Sequence, residues 1–581
     1  GSDGTVGANK QAAKMVGDAT GSYVQEYSWF DGKKSGGLTI SYQRFSNAPI
    51  HSPYLVEEAD YIGCHKDIYP LRGYPMLDHL KDGGIFVLNC PWGSLEALGA
   101  HLPAAFKQAL AAKHARFFQI DANKLAQEVG LGPRINMIME TAFFKLAGVM
   151  DFEQAVELLK RDIATLYAAK GQKVIDANIA AIDQTAARLK EVRYPASWAH
   201  AKTGAVASNA QAIAEGPAYI RDYFAPISRL EGNQLPVSAM HPAGFQPLGS
   251  TAYEKRRVAV NIPEWDVDKC IQCYQCATVC PHAAIRPFVA APAELEGAPD
   301  AFATKPATLA ALKGKQLRIQ VFPEDCVGCG SCADNCPAPG KALVMKPLSS
   351  QLDAQRENLA FAQKNISPKD HLAAPTTVAT LQLQQPLLQF SGCCGGCGET
   401  PHVKMLTQLF GDRLIIANAT GCSSIWGAYS PSMPYCANKR GHGPAWGNSL
   451  FEDNAEYGFG ITRALDVRRS GLTNLLQQQL ADGSSQMDEE TRSLIEDWLE
   501  FKDEPNAAGN LGRIICENLE AYRPATSEEA SRIQRILAEK TLFQKKSVWI
   551  VGGDGWAYDI DFDGLDEVLA SKQNVNILVL D

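Results

Sequence analysis

The sequence predicts a multidomain α/β protein: a parallel-sheet domain first, a small cysteine-built module in the middle, and part of a second α/β domain at the end. Three observations predict it. At 581 residues the chain exceeds what one core can serve, and its length suggests about three or four domains. Strand-like apolar runs alternate with helical ones in residues 1–200 and again after residue 368, the pattern of parallel sheets covered by helices. Between them, a rigid cysteine spacing occurs twice.

Composition narrows the class. A net charge of -9 with 46% hydrophobic residues is ordinary for a globular protein and gives no reason to expect nucleic acid or an anionic membrane as partner. No apolar run approaches the roughly 20 residues of a membrane helix. The 16 cysteines cluster, which argues for thiolate ligands in a reducing cytoplasm rather than a secreted disulfide scaffold. The chain opens Gly1-Ser2-Asp3 with no Met, so no signal peptide is expected in this stretch, and it stops at the end of an apolar run, Val575 to Asp581. An internal fragment of a longer chain is the expectation.

Within residues 1–200, Gly4-Thr5-Val-Gly7 leads into a helical pattern from Ala8 to Val16, so backbone N–H groups point at whatever precedes the helix. Strands are predicted at Gly37–Tyr42, Ala59–Cys64 and Gly84–Asn89, with a short helix capped by Ser94 and another over Pro103–Ala112. The candidate phosphate contacts are Ser2, Gly4, Thr5, the pair Lys33-Lys34, and Arg134 with Asn136. Taken alone, two adjacent lysines read more simply as a solvated loop, and one Gly-x-x-Gly turn is weak. Two amphipathic helices over Asp151–Val192 read as scaffold.

Residues 201–250 read as a connector rich in Ala, Pro and Gly, nearly patternless over Pro236–Gly249. The module at 251–367 carries Cys270-Ile-Gln-Cys273-Tyr-Gln-Cys276-Ala-Thr-Val-Cys280-Pro281 and then Cys326-Val-Gly-Cys329-Gly-Ser-Cys332-Ala-Asp-Asn-Cys336-Pro337. Each is the run that holds [4Fe–4S] cubanes in bacterial ferredoxins. Three thiolates cap one cubane, and the fourth, before Pro, serves the other. This ferredoxin-like reading gives Cys270, Cys273, Cys276 and Cys336 to one cluster and Cys326, Cys329, Cys332 and Cys280 to the second. Zinc or disulfides fit the spacing poorly. The Pro- and Ala-rich Pro292–Ala311 reads as an inserted surface segment.

In residues 368–581, Leu387–Phe390 is predicted as a strand ending at Cys393-Cys394-Gly-Gly-Cys397, which opens a helix over Val403–Phe410. A second strand, Leu414–Ala417, ends near Cys422. That places Cys394, Cys397 and Cys422 beyond the carboxyl ends of strands, where open α/β sheets build ligand sites. Cluster ligation is the preferred reading, with a thioredoxin-like pair and buried structural cysteine as alternatives. Cys436 and Cys516 lack ligand-like spacing. In the last βαβ unit a strand, Val548–Val551, precedes a tight turn, Gly552-Gly-Asp554-Gly555. A helix (Leu565–Ala570) and a strand (Val575–Leu580) follow. A carboxylate there can hold Mg2+ against a diphosphate, though an ordinary turn explains it too.

In this order the pieces resemble the single-chain, thiamine-diphosphate-dependent pyruvate:ferredoxin (or flavodoxin) oxidoreductases. The likeness is carried by Gly1 to Lys10, both cysteine runs, Cys393 to Pro401, Asn418 to Trp426, Gly443 to Trp446, Asn448 to Asn454 and Gly552 to Asp559. It spans essentially the whole chain. The resemblance implies a coenzyme A-binding domain over residues 1–200, with Ser2, Gly4, Thr5, Asp31, Lys33, Lys34, Arg134 and Asn136 as CoA contacts. It makes Cys394, Cys397 and Cys422 ligands of a third, proximal [4Fe–4S] cluster. Asp554 becomes the Mg2+ ligand for thiamine diphosphate, and Glu399 and Gly553 cofactor contacts. It further implies oxidation of pyruvate to acetyl-CoA and CO2, ferredoxin or flavodoxin as acceptor, and a homodimer. The family's pyrimidine-binding domain and its fourth proximal-cluster ligand are missing from this stretch, so the chain alone is expected to be inactive on pyruvate. An oxidoreductase for another 2-oxoacid and a non-catalytic electron-transfer module remain as alternatives.

Overall fold

The computed structural model describes residues 4–560 and 562–580. Ser2 therefore lies outside the described residues. The chain divides into two compact units, Gly1–Gln246 with Tyr253–Val260, and Pro247–Ala252 with Asn261–Asp581.

In the first unit, helix Thr5–Thr20 buries Ala8, Ala12, Met15 and Val16. These positions recur at helical spacing and pack on Met137 and Phe144 of helix Asn136–Ala147 and on Leu159 of helix Phe152–Leu166. Strands β1 (Tyr23–Phe30) and β2 (Thr39–Ser46) pair antiparallel as a separate two-stranded ribbon. The segment predicted as Gly37–Tyr42 thus belongs to the ribbon, not to the parallel sheet. That sheet is β3 (Ala59–Cys64), β4 (Leu80–Asn89) and β5 (Arg116–Ile120), all parallel, with the two-residue β6 (Lys190–Glu191) antiparallel at its edge. Phe86, Val87 and Leu88 of β4 are fully buried, as the central strand of a covered sheet requires. Ser94 does cap helix Leu95–His101, accepting from the Ala97 N–H at 3.2 Å. Residues 201–246 fold against the first unit through short helical turns, Ala210–Ala214, Tyr219–Phe224 and Ala225–Ser228.

The second unit opens with β7 (Asn261–Trp265), β8 (Ile285–Ala290), β9 (Lys305–Pro306), β10 (Gln316–Val321) and β11 (Leu343–Pro347). β7 pairs with β11, and β8, β10 and β9 form a three-stranded antiparallel sheet in that order. A later four-stranded sheet is wholly parallel. Its strands β12 (Leu414–Asn418), β13 (Ala445–Asn448), β14 (Ser547–Gly553) and β15 (Asn576–Leu580) lie in the order β13-β12-β14-β15. Between β13 and β14, four helices from Asn454 to Ala538 share a core around Leu476, Trp498, Ile515 and Phe543.

Two expectations are corrected here. Leu387–Phe390 is not a sheet strand: Leu388 makes an isolated antiparallel bridge to Tyr435, and the Phe390 N–H donates to the His282 carbonyl at 2.9 Å. Gly552–Gly555 is not a tight turn either. β14 continues through Gly553, and the chain passes directly into a helical turn at Gly555–Asp559. Gly552 is needed for that passage, because an added Cβ would lie 2.4 Å from Trp556 Cε3 and 2.8 Å from Ala419 Cβ.

Candidate functional site

The two cysteine loops are built alike. In the first, Gln272 and Tyr274 adopt left-handed conformations (φ 59° each); at the corresponding places in the second stand Gly328 and Gly330 (φ 73° and 84°). Glycine takes that conformation freely, whereas Gln and Tyr need support. Tyr274 is fully buried. The Gln272 amide donates to the Pro306 carbonyl at 2.7 Å and accepts from the Thr308 N–H at 3.0 Å. The Lys305 ammonium adds bonds to the Val267 and Cys270 carbonyls, both at 2.8 Å. The segment expected to be surface decoration therefore runs into a strand and loop that brace the first cysteine loop.

The thiols gather across the repeat. Burial, reinforced by the neighbouring thiols of Cys270, Cys273 and Cys336, pushes the Cys276 thiol up to about 12. Burial pushes Cys326 to about 12 as well, with Cys280 and Cys329 beside it. Cys332 is raised further by burial and by Cys280, Cys326, Cys276 and Cys329. Backbone N–H groups of Ala284 and Ala342 donate to Cys280 Sγ and Cys336 Sγ, each at 3.3 Å. Such N–H···S bonds help set cluster potentials. None of the sixteen cysteines is joined in a disulfide. Among the described residues no three His, Cys, Asp or Glu side chains close on a single metal ion.

A second cysteine group stands at the parallel sheet. Cys422 follows β12 and opens helix Cys422–Gly427, whereas Cys394 and Cys397 lie on an irregular loop before helix Glu399–Phe410. Cys394 and Cys422 are exposed. The Cys397 thiol is lowered to about 5, first by a hydrogen bond from Cys393 and then by the Thr400 and Glu399 N–H groups at the helix start, against opposing burial. Cys393, which the spacing argument passed over, is buried and raised well above the usual thiol range. Its Sγ lies 3.3 Å from His282 Nε2 and 3.6 Å from Thr400 Oγ1. Glu399 accepts from Trp426 Nε1 at 2.8 Å. Burial raises its pKa, and the charges of Cys397 and Asp554 push the same way. Glu399 thus sits within electrostatic reach of both the cysteine loop and the β14 carboxylate. Asp554 follows Gly553 at the carboxyl end of β14.

In the first unit, Gly4 (φ 86°) precedes helix Thr5–Thr20, and a Cβ there would stand 3.2 Å from Asn136 Cγ. The starts of two helices, at Thr5 and Asn136, are therefore side by side. Arg134 is exposed two residues earlier, and Lys34 is exposed. Lys33 is engaged elsewhere. Its ammonium stands 3.2 Å from Asp31 and 3.4 Å from Glu254. Burial opposes that charge, yet Glu254 and Asp31 raise the pKa above its ordinary value. Arg256 Nε lies 3.3 Å from the same Glu254. These three side chains, with Arg72, Tyr74 and Arg229, line a cavity of about 520 Å³.

Three family descriptions match along the chain: pyruvate ferredoxin/flavodoxin oxidoreductase over residues 1–188, a domain of unknown function over 207–259, and a 4Fe–4S dicluster domain over 269–339. The pyruvate:ferredoxin oxidoreductase of Moorella thermoacetica is 49% identical over 100% of this chain and 49% of its own length. The chain belongs to the pyruvate ferredoxin/flavodoxin oxidoreductase family. Another family relative, the pyruvate-flavodoxin oxidoreductase of Enterobacter agglomerans, is 46% identical over 100% of the chain and 49% of its own length. The mitochondrial pyruvate dehydrogenase [NADP(+)] of Euglena gracilis is 44% identical over 100% of the chain and 31% of its own. The chain spans about half the length of the first two relatives. All eight cysteines of the paired runs fall inside the dicluster match. Among the described residues no helix is long and apolar enough to cross a membrane.

Proposed function

We propose that this chain is the electron-handling and CoA-binding part of a cytoplasmic, homodimeric oxidoreductase. The enzyme converts pyruvate and CoA to acetyl-CoA and CO2 and passes electrons to ferredoxin or flavodoxin. The observation that carries the reading is Glu399. One carboxylate, held by a hydrogen bond from Trp426, feels both the Cys397 thiol and Asp554, so a metal-cluster loop and a diphosphate-type carboxylate lie within electrostatic reach of one side chain.

Thiamine diphosphate, when bound, supplies the carbanion chemistry of decarboxylation, and the clusters carry single electrons. The residues of the chain do the rest. Asp554, with Gly553 beside it, holds Mg2+ at the end of β14, the usual place for a ligand on an open parallel sheet. Cys394, Cys397 and Cys422 supply three thiolates to the proximal cluster, and the hydrogen bond from Cys393, with the N–H groups of the helix start at Glu399 and Thr400 adding to it, favours Cys397 in its anionic form. Buried His282 and Cys393 exclude water between that loop and Cys280. The paired helix starts at Gly4, Thr5 and Asn136 offer N–H groups to CoA phosphate, and Arg134 and Lys34 add cations. Lys33 joins them only if its carboxylate partners release it; Asp31 acts through that ion pair, and Ser2 completes the set.

The test is an anaerobic assay of the gene product with pyruvate, CoA and oxidised ferredoxin or flavodoxin. Arg134→Ala should raise the KM for CoA by about tenfold or more, the worth of one charge-assisted hydrogen bond, and leave the KM for pyruvate unchanged. CoA-independent turnover, or a preference for 2-oxoglutarate over pyruvate, would overturn the assignment.

A further inference from the structure

Helix Glu399–Phe410 begins two residues after Cys397 and carries Lys404 inward, where it is 2% exposed. The ammonium donates to three carbonyls of the stretch between Cys276 and Cys280: Ala277, Thr278 at 2.9 Å and Cys280 at 3.2 Å. Ala277 and Thr278 end the short helix Gln275–Thr278, where carbonyls lack helical partners. Capping a helix end with a lysine accounts for the hydrogen bonds. It does not account for the charge.

A buried ammonium is costly without an opposite charge beside it. Burial pulls the Lys404 pKa down to about 8, and its titratable neighbours among the described residues are the thiols of Cys280 and Cys276 and the guanidinium of Arg286, with no carboxylate among them. Arg286 adds a second positive charge, stacked on Phe322 at 4.5 Å and Phe390 at 5.4 Å. Two cations are thus buried around the segment that joins one thiol set to the other. A cubane held by four thiolates is a net anion, and it gains one more negative charge on reduction. Arg286 has the buried carboxylate of Asp325 among its electrostatic neighbours, whereas Lys404 has none, so the counter-charge that Lys404 lacks is the clusters themselves.

We propose that Lys404 is the buried counter-ion of the electron relay: its positive charge, lodged between Cys276 and Cys280, favours the reduced state of both ferredoxin-type clusters. The effect is larger on the cluster held by Cys280, whose carbonyl it touches. The inference rests on reading the two runs as cluster ligands. Each cluster takes one electron and passes one on; no bond forms or breaks, and Lys404 neither gives nor takes a proton. Because Lys404 belongs to the helix that follows Cys397, the same side chain ties the proximal loop to the relay.

The test is a redox titration followed by EPR on the anaerobically reconstituted chain, comparing wild type with Lys404→Gln and Lys404→Arg. Gln retains an N–H donor without the charge; Arg retains the charge. Lys404→Gln should keep about eight irons per chain, four per cubane. Both its couples should move to more negative potential, by at least tenfold in the one-electron equilibrium for the Cys280 cluster, which is 59 mV. Lys404→Arg should restore them. Full iron with unmoved couples in Lys404→Gln overturns the proposal while leaving the cluster reading intact. Should Lys404→Gln lose iron, Lys404→Arg decides: retained iron supports the charge, whereas lost iron shows that only the shape of the three-carbonyl seat matters and overturns it. Absence of any cubane signal in the wild-type chain sinks the cluster reading instead.

Discussion

Cys336→Ala is expected to remove the cluster fed by the other run, that of Cys270, Cys273 and Cys276, and to leave the cluster of Cys326, Cys329 and Cys332 in place. Cys280→Ala should do the reverse. The reason is the crossing: Cys336 stands beside Cys276, and Cys280 beside Cys326 and Cys332. Either substitution should lower iron from about eight to about four per chain and abolish the magnetic coupling between two reduced clusters. The discriminating comparison is with Cys332→Ala, which should lose the same cluster as Cys280→Ala. If Cys336→Ala and Cys332→Ala lose the same cluster instead, ligation follows sequence order and the crossed assignment is wrong.

Glu254→Ala should destabilise the first unit by about 3–5 kcal/mol, the cost of removing one partner from a buried ion pair. Glu254 is 5% exposed and stands between Lys33, 14% exposed, and Arg256, 3% exposed. Arg256 additionally donates to the Ser35 carbonyl at 2.8 Å, and Arg72 reaches the Arg256 carbonyl, so the loss should spread along the cavity wall. Hydrogen exchange of the amides in β2 and in residues 253–260 reads it directly, since a multidomain chain has no single unfolding free energy. The pH dependence has a definite sign. Burial works against the Lys33 charge, but Glu254 and Asp31 prevail and raise its pKa above 10.5. A raised folded-state pKa contributes stability fully present below the unfolded value and lost as pH rises through the folded one. The difference between wild type and variant should therefore be flat through neutral pH and shrink only in strong alkali. Protection factors unchanged in Glu254→Ala would show that the network contributes nothing to holding the unit together.

What the sequence reveals is what short-range chemistry dictates. Cubane ligands three residues apart are set by loop length, so both runs are readable without a structure. The helix over Ala8–Val16 is readable because its apolar positions recur on one face, and β4 because a buried parallel strand is a continuous apolar run. β5 escaped because Arg116 and Gln119 interrupt its apolar residues, and Gln119 is buried only by virtue of its bond to the Cys90 carbonyl at 2.7 Å. Leu387–Phe390 misled because a short apolar stretch says nothing about which partner it meets. The residues that complete the site are unreadable for a related reason. Lys404 finds its carbonyls 127 residues away, and Lys33 meets a carboxylate 221 residues on. No periodicity encodes such pairs; only the folded chain brings them together. Cys393 did have a signal, its place beside Cys394, but adjacency alone does not say which of two sulfurs faces a cluster and which hydrogen-bonds behind it.

The central claim is that eight thiolates in two interleaved sets form a two-cluster electron relay. The most direct measurement is iron analysis with low-temperature EPR on oxygen-free, dithionite-reduced protein. The account predicts about eight irons in the paired runs and a broadened signal from two interacting reduced cubanes. Zinc in place of iron, or a fully folded chain with about four irons or fewer and no interacting signal, would contradict it.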